Sequence, residues 1–461
     1  MSSTALNRAS SRLKAGEQSK LLLAAGAAAV LIGLIVASAK WLYLAALGAF
    51  LVSLFWPVQI ALGVFGLLVP FDNIAVLSSA KSGTTLTYLV GAGAAAILLA
   101  TGLGGKRLAK PPRAAYWWAA FVLWASTSAL WALDPRTSQK QLPTVIALLL
   151  LYLVAVSVRV TKKELRAIGL FIILGGTIAA AYAASQYGKG VYYHNSTRAS
   201  LNTGGRETDP NEFAASLMLP MSLAIGGFIS TRKRLEKACM LGALGVMGMI
   251  VLLTESRGAL VALSVLVLVF LLRYRIRMRM LIPLCVLTLG LLFMPETFYY
   301  RLTTAISSGG AGRLYIWKVG LIIIRHFGIF GVGLANFPVA YDLFPGHASI
   351  FMHYGKASHN IYLNVWAETG IIGLLLLFAA VRSQLRAVAK LTARRWTGGS
   401  SPLVPYEAAC WAMLAAGFFL DITYKKDFWL LWILLPLAVR AWTGEQRDTF
   451  NDRPDSFRNV S

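Results

Sequence analysis

The stretch 356–373, KASHNIYLNVWAETGIIG, marks the point where a polar segment becomes a long apolar run. It predicts the start of a membrane-spanning helix, with Ser358 as the N-cap. His359 would then lie in the first turn, where the positive end of the helix dipole favours the neutral imidazole, a form that can accept a proton. The alternative is an interfacial histidine that only solvates the helix end.

The amino-acid composition is that of a polytopic membrane protein. The chain has 461 residues, of which 57% are hydrophobic and 14% are charged, and the mean hydropathy is +0.64. Apolar runs able to cross a bilayer recur along it. The net charge of +25 comes from short basic clusters between those runs, which is typical of loops facing anionic lipid rather than of nucleic-acid binding. The three cysteines lie in apolar runs and give no disulfide or metal-ligand spacing.

The predicted fold class is an all-α polytopic membrane protein with about 12, and up to 14, transmembrane helices. Several of its apolar segments are shorter than the about 20 residues that a hydrocarbon core needs, so the lower number is preferred. The segments are 21–39, 41–56, 57–70, 86–103, 115–132, 142–158, 167–186, 211–230, 238–254, 258–272, 280–294, 361–381, 407–422 and 428–441.

These segments predict the organisation of the chain. It comprises an N-terminal tail at 1–20, a first transmembrane bundle at 21–294 with an outer loop at 186–210, a large outer loop at 295–360, C-terminal transmembrane helices at 361–441 and a tail at 442–461. Most of the 44 basic residues fall in the loops and tails on one side, so the positive-inside rule places both termini in the cytoplasm. Within the large loop, the stretch 313–330 predicts a helix that lies in the membrane interface.

Three arginines on the predicted outer side are candidates for binding an anion. Arg257 occurs in TESRGAL, Arg313 follows three glycines, and Arg206 occurs in GGRETDPNEF. The planar guanidinium suits bidentate binding of phosphate, and a charge at membrane depth is usually functional. The alternative is that these side chains snorkel to lipid phosphates.

The acidic residues are weaker candidates. The stretch Glu207–Thr208–Asp209 resembles the acidic triplet of nucleotide-sugar enzymes, but it lies on the predicted outer face, where nucleotide sugars are absent. Capping of the next helix, which Asp209 or Asn211 can provide, explains Asp209 more simply. Asp72, in the first outer loop, is a rival general base, although an interfacial turn is the simpler interpretation. No P-loop, GxSxG or HExxH sequence occurs, which argues against an ATP-driven pump, a serine hydrolase and a zinc protease, and no metal site is predicted.

Three motifs in order resemble the bacterial O-antigen ligase and polymerase family. They are SRGAL at 256–260, GRLYIW at 312–317 and HNIYLNVWAETGIIGLLLL at 359–377. The resemblance extends over about 206–377, whereas the N-terminal 200 residues are similar only in topology.

The resemblance implies an inverting glycosyltransferase of the GT-C type that needs no metal or cofactor and works on the periplasmic face of the bacterial inner membrane in lipopolysaccharide biosynthesis. Its donor would be a glycan on undecaprenyl pyrophosphate, and its acceptor a sugar hydroxyl of lipid A–core. Membrane lipids are the other expected partners, and nucleic acid is not one. The resemblance makes His359 the general base or the residue that positions the acceptor, and it assigns the pyrophosphate to Arg257, Arg313 and Arg206. Supporting roles would fall to Asn360, Asn211, Lys81 and Asp72.

Other functions remain open at the level of sequence. O-antigen polymerases and protein O-oligosaccharyltransferases share the motifs, and the large basic outer segment favours the ligase among them. A transporter or flippase of lipid-linked glycans is a different class, for which broken helices near the membrane midplane would be expected. Pro57 interrupts one span, and the sequence predicts no matching break in the second half of the chain.

Overall fold

A computed structural model describes residues 52–53, 55–72, 86–105, 107–194, 196–203, 206–274, 312–345, 353–392 and 401–451. Their α-helices are α1 Pro57–Leu68, α2 Leu86–Gly104, α3 Arg113–Thr127, α4 Pro135–Val156, α5 Lys162–Gly188, α6 Pro210–Ser216, α7 Met218–Ser230, α8 Arg234–Leu253, α9 Arg257–Tyr274, α10 Arg313–Phe327, α11 Phe337–Tyr341, α12 Ile361–Thr392, α13 Val404–Ala416 and α14 Lys426–Asn451. Short 3₁₀ turns at Val69–Phe71 and Ser128–Leu130 follow α1 and α3.

Seven segments of these described ranges are long and apolar enough to cross a membrane: Thr87–Gly104, Pro135–Val156, Lys162–Gly188, Pro210–Ser230, Arg234–Leu253, Arg257–Tyr274 and Ile361–Thr392. The chain is therefore mostly helical, in keeping with a polytopic membrane protein. The predicted spans at 21–39 and 280–294, and most of 41–56, lie outside the described residues. The predicted interfacial helix at 313–330 corresponds to α10.

One feature of the predicted outer loop 186–210 departs from an all-helical description. Asn202–Thr203 (β1) and Arg206–Glu207 (β2) form a two-stranded antiparallel sheet, in which Thr203 pairs with Arg206. The sequence did not predict it, because two-residue strands leave no periodic pattern.

Local sequence explains where the helices begin. The start of α5 is a capping box, in which the Thr161 side chain accepts the Glu164 N–H and the Glu164 carboxylate accepts the Thr161 N–H at 2.8 Å. Glu164 also pairs with Arg107 at 2.7 Å. The Asp134 carboxylate accepts the Arg136 N–H at the start of α4. These polar ends bracket apolar helices that pack around Trp118, whose ring centroid lies 5.1 Å from that of Trp429.

The longest helix, α12, is broken inside its span. Gly370 has φ 69° and ψ −176°, a conformation that is essentially restricted to glycine. A Cβ atom there would lie 2.1 Å from the Ile329 carbonyl oxygen, because the backbone of 328–336, which we call the strap, runs directly against the break. The expectation that no span is broken in the second half of the chain is therefore wrong. An apolar run containing a glycine reads as a continuous helix unless the strap beside it is known.

Hydrogen bonds with the strap satisfy the backbone groups that the break releases. The Ala367 and Glu368 carbonyls accept the N–H groups of Val332 and Gly333, both at 2.9 Å, and the Ile371 N–H donates to Gly328 at 2.8 Å. Trp124 of α3 donates its indole N–H to the Thr369 carbonyl at 2.7 Å. Because lipid offers no hydrogen-bond partner, a broken span is stable only with such substitutes.

The strap also joins the turn between α3 and α4. The buried Asn336 side chain accepts the Asp134 N–H at 2.6 Å and donates to the Ser138 hydroxyl at 2.9 Å. Ser128 accepts the Leu334 N–H at 2.9 Å. The strap thus fixes α10, the region of α12 around Gly370 and the α3–α4 turn to one another.

Candidate active site

The polar residues that precede α12 form its cap, two residues later than predicted. The Asn360 side chain accepts the N–H groups of Tyr362 and Leu363 at 3.0 and 3.1 Å. Ser358 instead accepts the Asn360 N–H at 3.2 Å. Asn360, not Ser358, is therefore the N-cap, and the predicted position of His359 in the first turn is wrong. Both residue types cap helices well, so the sequence alone could not choose between them.

His359 lies immediately before the helix, with a left-handed backbone (φ 48°). Its neighbours on both sides are held by other elements. Trp317 of α10 donates its indole N–H to the Ser358 carbonyl at 3.0 Å, and the Ile361 N–H donates to Gly417 at 2.8 Å. The half-buried imidazole is thus carried by a short segment anchored to α10 and to the end of α13.

The two arginines of the sequence motifs begin two other helices. Arg257 is the first residue of α9, and Arg313 is the first residue of α10 after Gly312 (φ 82°). Phe419 connects them: the Arg313 Cζ atom lies 5.8 Å from the centre of the Phe419 ring. A Cβ atom on Gly258 would lie 2.9 Å from the Phe419 Cβ. The glycine of SRGAL therefore gives the ring room beside Arg257.

Charge interactions link His359, Arg313, Arg257 and Asp209, which we call the cluster. Burial and the charge of Arg313 lower the pKa of His359, while Asp209 acts in the opposite direction. Burial and the charge of Arg257 lower the pKa of Arg313, and Asp209 again opposes this. The neutral imidazole is favoured mainly by burial and by a neighbouring cation. Lys356 also lowers the pKa of His359, and the two guanidinium groups suit a phosphate anion.

Asp209 caps α6, as the sequence predicted. Its Oδ1 atom accepts the Asn211 and Glu212 N–H groups at 2.7 and 3.4 Å. Asn211 in turn accepts a hydrogen bond from Arg198 at 2.9 Å, and the Arg198 Nε donates to the Thr254 carbonyl at 2.8 Å. Arg198, which no sequence pattern singles out, thereby ties the start of α6 to the end of α8, close to Arg257.

The other residues predicted for the site are Arg206, Lys81, Asp72 and Glu207. Arg206 pairs through its backbone in β2, and its side chain, like the whole of Lys81, lies outside the described residues. Asp72 follows the 3₁₀ turn after α1, where its carboxylate binds Lys426 and Thr87. Glu207 pairs with His194 at 3.0 Å. In the described ranges no three His, Cys, Asp or Glu side chains are grouped as metal ligands would be.

The 417–426 loop, between α13 and α14, meets every segment of the cluster, and sequence reasoning overlooked it. Besides Gly417 and Phe419, its Lys425 forms an ion pair with Glu212 of α6 at 2.8 Å. Its Tyr424 donates to the buried Glu368 carboxylate at 3.4 Å, at the break in α12. The sequence assigned most of this loop to a span at 407–422, because Phe418, Phe419 and Leu420 continue the apolar run.

Comparison with known proteins bears on the part of the chain that carries these motifs. Residues 242–378 match the family model described as O-antigen ligase. The matched stretch begins in α8 and contains Arg257, Arg313 and His359. No curated protein matches the chain. The resemblance drawn from the three motifs is thereby confirmed for this part of the chain.

Proposed function

We propose that the protein is an O-antigen ligase, which transfers a glycan from undecaprenyl pyrophosphate to a sugar hydroxyl of lipid A–core on the periplasmic face of the bacterial inner membrane. The observation that carries the proposal is the cluster of His359, Arg313 and Arg257, which come from three separate elements and are linked by the Phe419 contacts and by their charge interactions. Its two guanidinium groups suit a pyrophosphate, and the lowered pKa of His359 keeps the imidazole neutral, as a base requires.

The proposed reaction uses these groups in one displacement. Neutral His359 takes the proton of the acceptor hydroxyl as its oxygen attacks the anomeric carbon. The bond from that carbon to the pyrophosphate oxygen breaks, and undecaprenyl pyrophosphate leaves with the electron pair. Arg257 and Arg313 stabilise the charge of the leaving group. Attack opposite the leaving group inverts the anomeric configuration, and His359 then returns its proton to water.

Two features support a fixed scaffold around this chemistry. The strap satisfies the backbone groups released at Gly370, and the 417–426 loop connects α6, α9, α10 and α12. Donor and acceptor would thus meet groups that are already positioned, which is where transition-state stabilisation is most effective.

The decisive experiment measures glycan transfer to lipid A–core by the purified protein. His359→Ala should lower the rate by about 10²–10⁴-fold, as is usual for loss of a general base, while the variant still binds lipid-linked donor. His359→Gln should behave similarly, and EDTA should have no effect on the wild type. His326→Ala is the matched control, because this exposed histidine of α10 stacks on Phe344, 5.5 Å away, outside the cluster.

Retention of more than about a tenth of the activity by His359→Ala would exclude His359 as the base. The lipopolysaccharide of a deletion strain separates the ligase from its relatives. Bare core with accumulated lipid-linked long chains indicates a ligase, and core with a single repeat indicates a polymerase.

The break in α12 favours one function of another class, a transporter or flippase of lipid-linked glycans. Interrupted spans with a buried acid such as Glu368 occur at the substrate sites of transporters. Reconstitution into vesicles tests it: movement of the lipid-linked glycan across the bilayer without any acceptor would support the transporter and count against the ligase.

A further inference from the structure

A groove on the transmembrane surface lies between α9, α12 and α13. Its volume is about 750 Å³. It exists because α13 packs chiefly against α9 and α7 while α12 packs against α3, so the two consecutive helices stand apart. The walls are largely apolar, with Leu377, Phe378 and Leu385 from α12 and Trp411 and Leu414 from α13.

One end of the groove is cationic. Arg382 and Arg386 line it, are exposed, and lie one helical turn apart on the same face of α12. The third arginine of the lining, Arg273, is neutralised by Glu407, to which its Nε donates at 3.0 Å. Neither Arg382 nor Arg386 pairs with a carboxylate within the described ranges. Like charges at i and i+4 repel each other, so an anion between them would be stabilising.

The other end of the groove begins at Ile361 and Tyr362, next to His359. The two helical parts on either side of the break at Gly370, Ile361–Thr369 and Ile371–Arg386, rise by roughly 12 and 22 Å at about 1.5 Å per residue, a path of about 34 Å in all. This length is close to that of a bilayer with its hydrocarbon core of about 30 Å. The two arginines therefore lie at the opposite membrane face from the candidate active site, too far away to bind the same pyrophosphate.

We propose that this groove binds one anionic phospholipid from the leaflet opposite His359. Its phosphate lies between Arg382 and Arg386, and its acyl chains lie along Leu377, Phe378 and Leu385. Charge complementarity selects this occupant, since paired guanidinium groups at the membrane surface bind phosphate and the adjoining wall accepts hydrocarbon. The lipid fills the gap between α12 and α13, whose outer ends are joined by the Ile361–Gly417 hydrogen bond beside His359.

The test uses the purified full-length protein in detergent. Native mass spectrometry measures retention of phosphatidylglycerol and of phosphatidylcholine with identical acyl chains. The wild type should retain phosphatidylglycerol preferentially. The double variant Arg382→Gln/Arg386→Gln should bind it about tenfold more weakly or worse, because two charge-assisted contacts are lost. Phosphatidylcholine binding should be unchanged.

Arg232→Gln/Lys390→Gln is the matched control. It removes the same charge from exposed residues on the same predicted side, and neither residue lines the groove. Ala415→Phe is a second probe that fills the groove from α13 and should reduce lipid retention while both arginines remain. Equal retention by the arginine variant and the control would overturn the proposal. So would arginine-dependent binding of undecaprenyl phosphate with no binding of phosphatidylglycerol. Glycan transfer is not measured in this test, so its outcome is separate from that of the proposed function.

Discussion

The break in α12 gives the sharpest prediction for stability. In Gly370→Ala the new Cβ would lie 2.1 Å from the Ile329 oxygen and 2.7 Å from the Phe330 carbonyl carbon, both backbone atoms. The backbone conformation itself would carry a strain of about 1–3 kcal/mol in a non-glycine residue. If the strap moves away to make room, the three hydrogen bonds from Val332, Gly333 and Ile371 are lost, at about 0.5–1.5 kcal/mol each. Together these terms amount to about 2.5–7.5 kcal/mol, a large part of the stability of an ordinary domain.

Gly242→Ala is the matched control. Gly242 lies inside helix α8, and a Cβ atom there meets no other atom within 4 Å. Alanine should stabilise that helix by about 1 kcal/mol. Thermal unfolding of both variants in detergent, followed by size-exclusion chromatography, should show a marked loss for Gly370→Ala and none for Gly242→Ala. If the two variants melt together, the account of the break as a packed, glycine-dependent junction is refuted.

Three further predictions concern the candidate active site. Arg257→Lys keeps the charge but loses the bidentate fork, so the rate of glycan transfer should fall by about a hundredfold or more. A near-normal rate would instead indicate that Arg257 snorkels to lipid phosphates. Phe419→Leu removes a cation–π contact with Arg313 worth about 0.5–2 kcal/mol, so it should raise the donor KM by about 2–30-fold with little change in kcat. Phe419→Tyr should keep the wild-type KM and kcat. An unchanged KM in the leucine variant would contradict this role of Phe419. Burial and Arg313 lower the pKa of His359 below its ordinary value of 6.5. The rate of glycan transfer should therefore stay constant as the pH is lowered to 6.5 and should fall only in more acidic buffer. A fall that begins above pH 6.5 would show that another group titrates.

Much of the helical organisation could be predicted from the sequence, since length and hydropathy decide which segments cross a membrane. The predicted spans 86–103 and 238–254 differ by only a few residues from Leu86–Gly104 and Arg234–Leu253. The break at Gly370 could not be predicted, because it depends on hydrogen bonds with a strap some 40 residues earlier in the chain. Periodicity records which face of a helix is apolar and carries no information about backbone groups that find partners elsewhere.

The charged residues of the candidate site could be predicted from the sequence, but the residues that support them could not. Arg257, Arg313 and His359 are polar residues next to apolar runs, and this contrast makes them visible. Phe419 lies within an apolar run and is distinguished from its neighbours there by its contacts with Arg313 and Gly258. Arg198 acts through the Thr254 carbonyl, a backbone group for which no side chain in the sequence gives a signal.

The position of the 417–426 loop near the C-terminal end of the chain has a consequence for biosynthesis. All three motifs, from Arg257 to His359, leave the ribosome before this loop has been made. Until it emerges, Arg313 lacks the Phe419 ring, Glu212 lacks Lys425, and the first N–H of α12 lacks its acceptor on Gly417. A nascent chain of 400 residues would thus carry every recognisable motif and still lack these three contacts. Insertion of α13 and α14 completes the surroundings of the arginines and the histidine.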